Sequence, residues 1–307
     1  AAGNSSSTTG SAVTIDTSVT TTAALDSSSD SGTTGDNKTN DTTPAISGTT
    51  EAGAAVKVVV GGQTLTTTAG SDGKWSVTVP TTLADNTYTP VVTVTDVSGN
   101  TATVNGTAFT IDSSISPATT VALAASSDSG TSGDNKTNDT TPTIAGTAEP
   151  GATVKVVVGG QTLTVTAAAD GTWSVTPTAL TDGTYTPVVT VTDAAGNSST
   201  TVGSGITVDT QIAPSTIVAL SPSSDSGISG DNKTNDTTPT FSGVAEPGAT
   251  VKVVVGGQTL TTTAAANGTW SVTPTALAAG TYTPAVTVTD AAGNSSSTTG
   301  SAVTIDT

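Results

Sequence analysis

Apolar and polar residues alternate along short stretches of this chain, and valine and threonine dominate those stretches. TLTVT (162–166), WSVT (173–176) and TYTPVVTVTD (184–193) all show this two-residue period. Because successive side chains of a β-strand point to opposite faces, the period predicts strands with one buried and one solvated face. Turn signals such as EPGA, VGGQ, ADGT and AAGN separate the stretches. No segment has a helical period over a useful length, so the pattern predicts an all-β protein.

The strand pattern occurs three times, and one tryptophan marks each copy. Trp75, Trp173 and Trp270 lie 98 and 97 residues apart. About seven short strands in a repeat of this length predict an immunoglobulin-like β-sandwich. A tyrosine near the start of the penultimate strand of each repeat is either the tyrosine corner of that fold or an ordinary inward-facing residue. The inter-sheet cysteines of antibody domains are absent, which excludes membership of that group.

The repeat period also predicts the domain organisation. We expect sandwiches at 18–112, 113–209 and 210–307, arranged as a linear rod. Residues 1–17 are identical to residues 291–307. We therefore interpret residues 1–17 as the C-terminal strand and linker of a preceding repeat.

Composition narrows the possible functions. The 307 residues include 24 acidic and seven basic ones, and the net charge is −17. This charge argues against nucleic acid and anionic membranes as partners and favours cations. Histidine and cysteine are absent, so a usual general base and all nitrogen and thiolate metal ligands are missing. No apolar run approaches the length of a membrane span. We therefore expect a monomeric, non-catalytic protein that does not insert into a membrane.

Six acids recur at equivalent positions of every repeat. Three lie in a loop that opens the repeat, one in an AEPG-like turn, one in a DAAGN-like turn and one in the closing VDT-like segment. The predicted strand order places all six at the ends of a sandwich, so the acids of one repeat face those of the next. Converging carboxylates repel one another unless a cation neutralises them. An all-oxygen ligand set favours calcium over zinc or copper.

The acids predict two kinds of calcium site. At each joint, the closing aspartate of one repeat would share an ion with a glutamate and an aspartate of the next. These predicted groups are Asp112 with Glu149 and Asp193, and Asp209 with Glu246 and Asp290.

The loop that opens each repeat would hold a second ion at the far end of its own repeat. The alternative is a polar turn whose aspartates bind their own backbone. The loop acids are Asp30, Asp36, Asp41, Asp128, Asp134, Asp139, Asp225, Asp231 and Asp236.

The combination of TNDTTPT, AEPGATV, DGTWSV and DAAGNSS at fixed spacing resembles the bacterial immunoglobulin-like repeats of giant, type I secreted, non-fimbrial adhesins, the SiiE-like family. The resemblance covers all three repeats. It implies long extracellular rods with calcium held by aspartates at the domain junctions. It therefore implies a calcium role for Asp16 and Asp306 as well, and for Glu51 and Asp96 of the first repeat. That repeat departs from the pattern, with TTEAGAAV and DVSGN.

Together these features predict a calcium-stiffened stalk of a secreted or surface-bound bacterial adhesin. Its partners would be neighbouring repeats of the same chain, while host cells or glycans would be bound through regions outside these residues. One alternative is that the repeats themselves bind glycan or extracellular matrix. Another is that threonine rows such as TLTTT bind ice or mineral. An enzyme is disfavoured because no base is present to activate a serine or threonine.

Overall fold

A computed structural model describes residues 3–115, 119–214 and 218–307. Within these residues the regular secondary structure consists entirely of β-strands, which confirms the all-β prediction. Residues 1 and 2 of the predicted N-terminal stub lie outside the described part. The contacts divide the chain into two compact units. The first contains the first repeat together with residues 192–199, and the second contains the rest of the second repeat and the third repeat.

Each repeat contributes ten short strands to the described part of the chain. The first has β1 (Ala24–Leu25), β2 (Lys38–Thr39), β3 (Ala45–Thr49), β4 (Ala55–Val60), β5 (Gln63–Thr68), β6 (Lys74–Thr78), β7 (Asn86–Tyr88), β8 (Val91–Thr95), β9 (Thr101–Asn105) and β10 (Phe109–Ile111). The second has β11 (Ala122–Leu123), β12 (Lys136–Thr137), β13 (Ile144–Thr147), β14 (Thr153–Val158), β15 (Gln161–Thr166), β16 (Thr172–Val175), β17 (Gly183–Tyr185), β18 (Val188–Thr192), β19 (Ser198–Val202) and β20 (Ile206–Val208). The third has β21 (Ala219–Leu220), β22 (Lys233–Thr234), β23 (Phe241–Val244), β24 (Thr250–Val255), β25 (Gln258–Thr263), β26 (Thr269–Val272), β27 (Gly280–Tyr282), β28 (Ala285–Thr289), β29 (Ser295–Thr299) and β30 (Val303–Ile305).

The sheets of the first and third repeats have the same strand order. In the first repeat the orders are β1-β3-β6, β2-β10-β7 and β5-β4-β8-β9. In the third they are β21-β23-β26, β22-β30-β27 and β25-β24-β28-β29. The second repeat has the matching three-stranded sheets β11-β13-β16 and β12-β20-β17. This arrangement confirms the tandem immunoglobulin-like sandwiches.

The core lies between the sheets and follows the alternation seen in the sequence. Along β4, Val56, Val58 and Val60 are buried while Lys57 is exposed. These valines pack in one cluster with Trp75 of β6. Full burial of an aliphatic side chain contributes about 1.5–3 kcal/mol, so a small aliphatic core can hold each sandwich. All three tryptophans are only 4% exposed and are therefore unavailable to stack on a sugar ring.

The structure divides one predicted strand into two. The stretch TYTPVVTVTD, which reads TYTPAVTVTD in the third repeat, corresponds in every repeat to two strands separated by a threonine and a proline. In the first repeat β7 pairs with β10, whereas β8 pairs with β4 and β9 of another sheet. Pro90 lies at the crossing point, where its missing N–H interrupts the ladder. This division is one reason why each repeat has ten strands rather than the roughly seven that the pattern predicts.

The tyrosine that recurs at the same position of each repeat has a structural role at this crossing. The hydroxyl of Tyr88 donates a hydrogen bond to the carbonyl of Ala84 at 2.9 Å. Tyr185 binds Thr181, also four residues upstream, at 2.8 Å. This bond to upstream backbone is the feature that defines a tyrosine corner. The tyrosine therefore secures the turn from which the chain passes between sheets.

Candidate metal centres at the joints

Three carboxylates meet where the N-terminal segment enters the first repeat. Asp16 precedes the first strand, Glu51 lies in the turn between β3 and β4, and Asp96 lies in the turn between β8 and β9. One ligand oxygen from each lies within 4.8 Å of the others. The two turns occupy the same end of the sandwich because β4 pairs antiparallel with β8. The site is therefore built from a linker and two adjacent turns.

The same group recurs where the third repeat begins. Asp209 follows β20, Glu246 lies in the turn between β23 and β24, and Asp290 lies in the turn between β28 and β29. Their ligand oxygens are again within 4.8 Å of one another, and Asp290 is only 6% exposed. The structure thus brings together the three acids that the sequence assigned to this joint.

The acids of the middle joint are divided between the two compact units. Asp112 and Asp193 lie in the first unit, and Glu149 lies in the second. The carboxylate of Asp193 accepts hydrogen bonds from the backbone and side chain of Asn197, at 2.8 and 2.7 Å. The same side-chain nitrogen donates to the carbonyl of Asp112 at 2.9 Å. The linker and the turn are therefore tied together in the same way as at the other joints.

The asparagine of the DAAGN or DVSGN turn is the residue that the sequence reasoning missed. Asn100 donates from Nδ2 to the Asp16 carbonyl at 3.1 Å and to Asp96 Oδ2 at 2.7 Å. Asn294 makes the same two bonds, to the Asp209 carbonyl and to the turn aspartate, at 2.8 Å each. An amide can bind a carbonyl and a carboxylate at once because it has two N–H donors. Its fixed place in the repeated turn motif was the available signal.

Electrostatics at the first joint favour a bound cation. Burial raises the pKa of Glu51, and the negative charges of Asp16 and Asp96 raise it further. Burial also acts to raise the pKa of Asp96, but hydrogen bonds from Asn100, Ser98 and Gly99 outweigh it and the pKa is lowered. The cluster therefore favours the ionised form of Asp96 and opposes ionisation of the neighbouring Glu51. A cation between them would relieve the repulsion.

The carboxylates of the opening loop are used mainly by the loop itself. Asp36 accepts a hydrogen bond from the backbone of Lys38 at 2.9 Å. Asp41 accepts one from the backbone of Thr43 at 2.9 Å and one from the Ser29 hydroxyl at 2.8 Å. The equivalent aspartates of the later loops repeat these bonds: Asp134, Asp139, Asp231 and Asp236. Among the described residues these acids are not gathered into a three-acid group of the kind found at the joints.

One carboxylate oxygen in each opening loop is buried without a partner. Asp30 Oδ2 accepts a hydrogen bond from the Gly35 amide at 2.5 Å, but Oδ1 has none. Asp128 Oδ1 and Asp225 Oδ1 are unpaired in the same way. A buried oxygen without a hydrogen bond is costly. The unpaired Oδ1 atom is therefore the loop oxygen that would gain most from binding a cation.

The opening loop also docks directly on the following turn. The Thr33 amide donates to the Ala194 carbonyl at 2.9 Å, and the Ser31 hydroxyl donates to the Ala195 carbonyl at 2.5 Å. Gly32 has a φ of +66°, and a Cβ there would overlap the Ala194 carbonyl. Only glycine combines this backbone conformation with so close an approach.

The equivalent loop of the second repeat docks in the same way on the third. Thr131 donates to the Ala291 carbonyl at 2.9 Å, and the Ser129 hydroxyl donates to the Ala292 carbonyl at 2.5 Å. The joint before the third repeat thus has both a carboxylate group, formed by Asp209, Glu246 and Asp290, and a direct contact between loop and turn.

Acids at the opposite end of the sandwich hold the outgoing linker. Asp182 Oδ1 accepts hydrogen bonds from the amide and hydroxyl of Thr210, at 3.1 and 2.8 Å. Asp85 does the same for Ser113, at 3.1 and 2.7 Å. Asp306 lies exposed beyond the last strand, and its amide donates to the Thr234 carbonyl at 2.9 Å.

Comparison with known proteins gives one family and several structures. The model of a family described as bacterial Ig-like domain matches residues 18–113, 114–210 and 211–307. A structure from a 1.5-MDa bacterial ice-binding adhesin is 26% identical, covers 94% of this chain and 98% of its own, and has a TM-score of 0.41. A Ca²⁺-stabilised, ice-binding adhesin of an Antarctic bacterium is 30% identical, with coverages of 93% and 73% and a TM-score of 0.34. A tetra-tandem repeat from the extending region of a large adhesion protein is 25% identical, with coverages of 94% and 74% and a TM-score of 0.31. No curated protein matches the chain.

Proposed function

This chain belongs to the bacterial Ig-like domain family, and we propose that it is a non-catalytic, calcium-stiffened stalk segment of a large bacterial adhesin. The stalk would be secreted or displayed on the bacterial surface, in the manner of giant type I secreted, non-fimbrial adhesins. It would hold a distal binding region away from the cell. Repeats at 18–112, 113–209 and 210–307 would be its structural units.

One observation carries this proposal. A linker aspartate and two turn acids of the following repeat bring ligand oxygens within 4.8 Å of one another, at Asp16 and again at Asp209. An ion bound there would connect the linker to two turns of the next sandwich and restrict rotation at the joint. Calcium fits the donors because it takes six to eight hard oxygen ligands in flexible geometry. Backbone carbonyls and water would complete its coordination.

We extend the assignment to the remaining acids by sequence equivalence. Asp112, Glu149 and Asp193 would bind the ion of the middle joint, and Asp306 would contribute to a joint with any repeat that follows. In the opening loops, the buried and unpaired oxygens of Asp30, Asp128 and Asp225 support a second ion. The other loop aspartates would bind it only by giving up some of their hydrogen bonds to the backbone.

The described residues contain no helix long and apolar enough to cross a membrane. The buried tryptophans, at 4% exposure, favour a stalk over repeats that bind glycan themselves, since sugar sites commonly use exposed aromatic rings. A glycan array probed with the intact chain tests that alternative directly. Binding to a defined glycan would assign the repeats a recognition role.

Calorimetric titration with calcium tests the proposal. The double variant Asp209→Asn with Glu246→Gln keeps the shape of both side chains but removes two charges from one joint, and it should lose one bound ion. Asp170→Asn is the matched control, because Asn267 occupies the equivalent position of the third repeat and makes the same bonds to the threonine two residues on. Small-angle scattering with and without a chelator should show a longer maximum dimension with calcium. If the wild-type chain binds no calcium, or if its dimension does not change, the stiffening role is wrong.

A further inference from the structure

One acidic residue of the first repeat has no charged equivalent in the other two. Asp26 directly follows β1, at the position that Ala124 and Ser221 occupy in the later repeats. The three positions are equivalent in the fold, because each backbone amide donates to a carbonyl at the start of the neighbouring strand, at 2.9, 2.9 and 2.8 Å. The first repeat therefore has an additional carboxylate at this place.

One lysine of the first repeat also has no equivalent. Lys74 begins β6, opposite Thr49, and Thr172 and Thr269 occupy its position in the later repeats. Every other lysine of the chain recurs in all three repeats: Lys38, Lys57, Lys136, Lys155, Lys233 and Lys252. Lys74 is exposed and forms no salt bridge with an acid of the described residues. Its ammonium group is therefore available to a ligand.

Asp26 and Lys74 border the same groove. The groove has a volume of about 470 Å³ and opens on the outer face of the β1-β3-β6 sheet. Because Trp75 faces the core and is only 4% exposed, its neighbours along β6 face outward. Three hydroxyl-bearing side chains also line the groove: Ser47, Thr49 and Ser76.

The register of the sheet sets the distance between the two charges. β1 and β6 flank β3, so these strands lie two spacings apart, about 9–10 Å. Asp26 is level with Ala45 at one end of β3, whereas Lys74 is opposite Thr49 at the other end, about 13 Å further along the strand. The backbone positions are thus about 16 Å apart on the diagonal, and the two side chains reduce the gap between the charges to roughly half of that. An extended dipeptide or tripeptide, at about 3.3–3.6 Å per residue, spans such a gap.

The second repeat has a corresponding groove without the two charges. It has a volume of about 520 Å³, and its lining includes Ala145, Thr172 and Ser174. Thr172 occupies the position of Lys74, and Ala124 occupies that of Asp26. The groove is therefore a feature of the repeat, whereas the charges are specific to the first copy.

Local hydrogen bonds keep Asp26 ionised. The Ser28 hydroxyl and amide donate to its Oδ1 at 2.7 and 3.0 Å. These bonds, and then one with the Ser47 side chain, lower the pKa of Asp26. The net charge of −17 repels free anions. A ligand that carries both a cationic and an anionic group is neutral overall and escapes this repulsion.

We propose that the groove of the first repeat binds a short peptide with free termini, two or three residues long, whose ammonium group contacts Asp26 and whose carboxylate contacts Lys74. The peptide groups lie over Ser47, Thr49 and Ser76, whose hydroxyls both donate and accept hydrogen bonds. This site is independent of the calcium sites at the joints.

Nuclear magnetic resonance titration of the full-length chain with triglycine tests the proposal. The backbone amide signals of Ser47 and Ser76 should shift. Those of Ser174 and Ser271, which are equivalent to Ser76 in the later repeats, should not. N-acetyl-triglycine lacks the ammonium group and triglycine amide lacks the carboxylate, so each should bind at least about threefold more weakly. Absent shifts, equal shifts in all three repeats, or equal affinity for the blocked peptides would overturn the proposal.

Two variants assign each end of the peptide to one side chain. Asp26→Asn should weaken binding of triglycine but leave binding of N-acetyl-triglycine unchanged, because the contact is already lost there. Lys74→Met should weaken triglycine and leave triglycine amide unchanged. If each variant weakens free and blocked peptides by the same factor, the proposed orientation is wrong.

Transfer of the charges to the second repeat gives the matched control. Ala124→Asp, Thr172→Lys and Ala145→Ser together reproduce the lining of the first groove. In a chain that also carries Asp26→Asn and Lys74→Met, triglycine should now shift the Ser174 signal and no longer the Ser76 signal. Ser76 that still responds, or Ser174 that does not, would refute binding by these two charges.

Discussion

A single methyl group at Gly130 tests whether direct contact between loop and turn holds a joint. Gly130 has a φ of +70°, and a Cβ there would overlap the Ala291 carbonyl. Gly227 occupies the equivalent loop of the third repeat with a φ of +80°, but nothing lies within 4 Å of its Cβ position. Gly130→Ala and Gly227→Ala therefore impose the same backbone strain, and only the first disturbs a joint.

The expected difference follows from the bonds at that joint. An alanine in the left-handed conformation costs about 1–2 kcal/mol in either variant. Gly130→Ala also separates the loop from the turn, which breaks the bond from the Thr131 amide to Ala291 and the bond from the Ser129 hydroxyl to Ala292. Each is worth about 0.5–1.5 kcal/mol net. The joint should thus open more readily in this variant by about 1–3 kcal/mol.

Native-state hydrogen exchange at the Thr131 amide measures this opening. A change of about 1–3 kcal/mol corresponds to exchange roughly 5- to 150-fold faster. Gly227→Ala should leave the rate at Thr131 unchanged, while the protection of β14 in the core should be the same in both variants. If the two variants show equal exchange at Thr131, the contact does not hold the joint.

Three further changes have defined outcomes. Asn294→Ala removes the amide that binds the Asp209 carbonyl at 2.8 Å, so it should weaken the joint by about 1–3 kcal/mol and lower its calcium affinity. Calorimetric titration measures the affinity, and an unaltered value would contradict this role of the asparagine. The pKa of Asp170 is lowered by hydrogen bonds from the backbone and hydroxyl of the threonine two residues on, so its contribution to stability is present above the unfolded pKa and is lost as pH falls through the folded pKa. Asp170→Asn should therefore flatten the acid limb of a thermal stability profile, and an unchanged limb would argue against this. Val253 is 0% exposed, so Val253→Ala should lower the free energy of unfolding by about 1–3 kcal/mol. Val254 is 40% exposed, so Val254→Ala should lower it by less than about 0.5 kcal/mol. Equal losses in denaturant unfolding would contradict the assigned strand faces.

The grouping of acids at the start of the third repeat could be predicted from the sequence. The acids could be identified because they recur in every repeat. Successive loops were expected to alternate between the two ends of the sandwich, which placed the AEPG-like and DAAGN-like turns at the same end. The meeting of Asp209, Glu246 and Asp290 follows from that placement alone. The role of the turn asparagine did not follow, because a repeated Asn in a Gly-containing turn is equally well explained by local turn chemistry.

The opening loop shows where sequence reasoning reaches its limit. Its three aspartates are close in sequence, yet most of their oxygens bind neighbouring backbone amides, as for Asp36 and Asp41. Whether a carboxylate turns toward its own backbone or toward a shared ion depends on loop conformation. That conformation includes Asn37 in the left-handed region, with a φ of 59°, which no residue spacing reveals.

The sequence by itself determined the repeat length, the all-β class and the faces of the strands. These depend on the local alternation of apolar and polar residues and on turn residues that recur in every repeat. Only the tertiary structure decided which turns touch across a joint, since that contact joins residues far apart in the chain, such as Gly32 and Ala194.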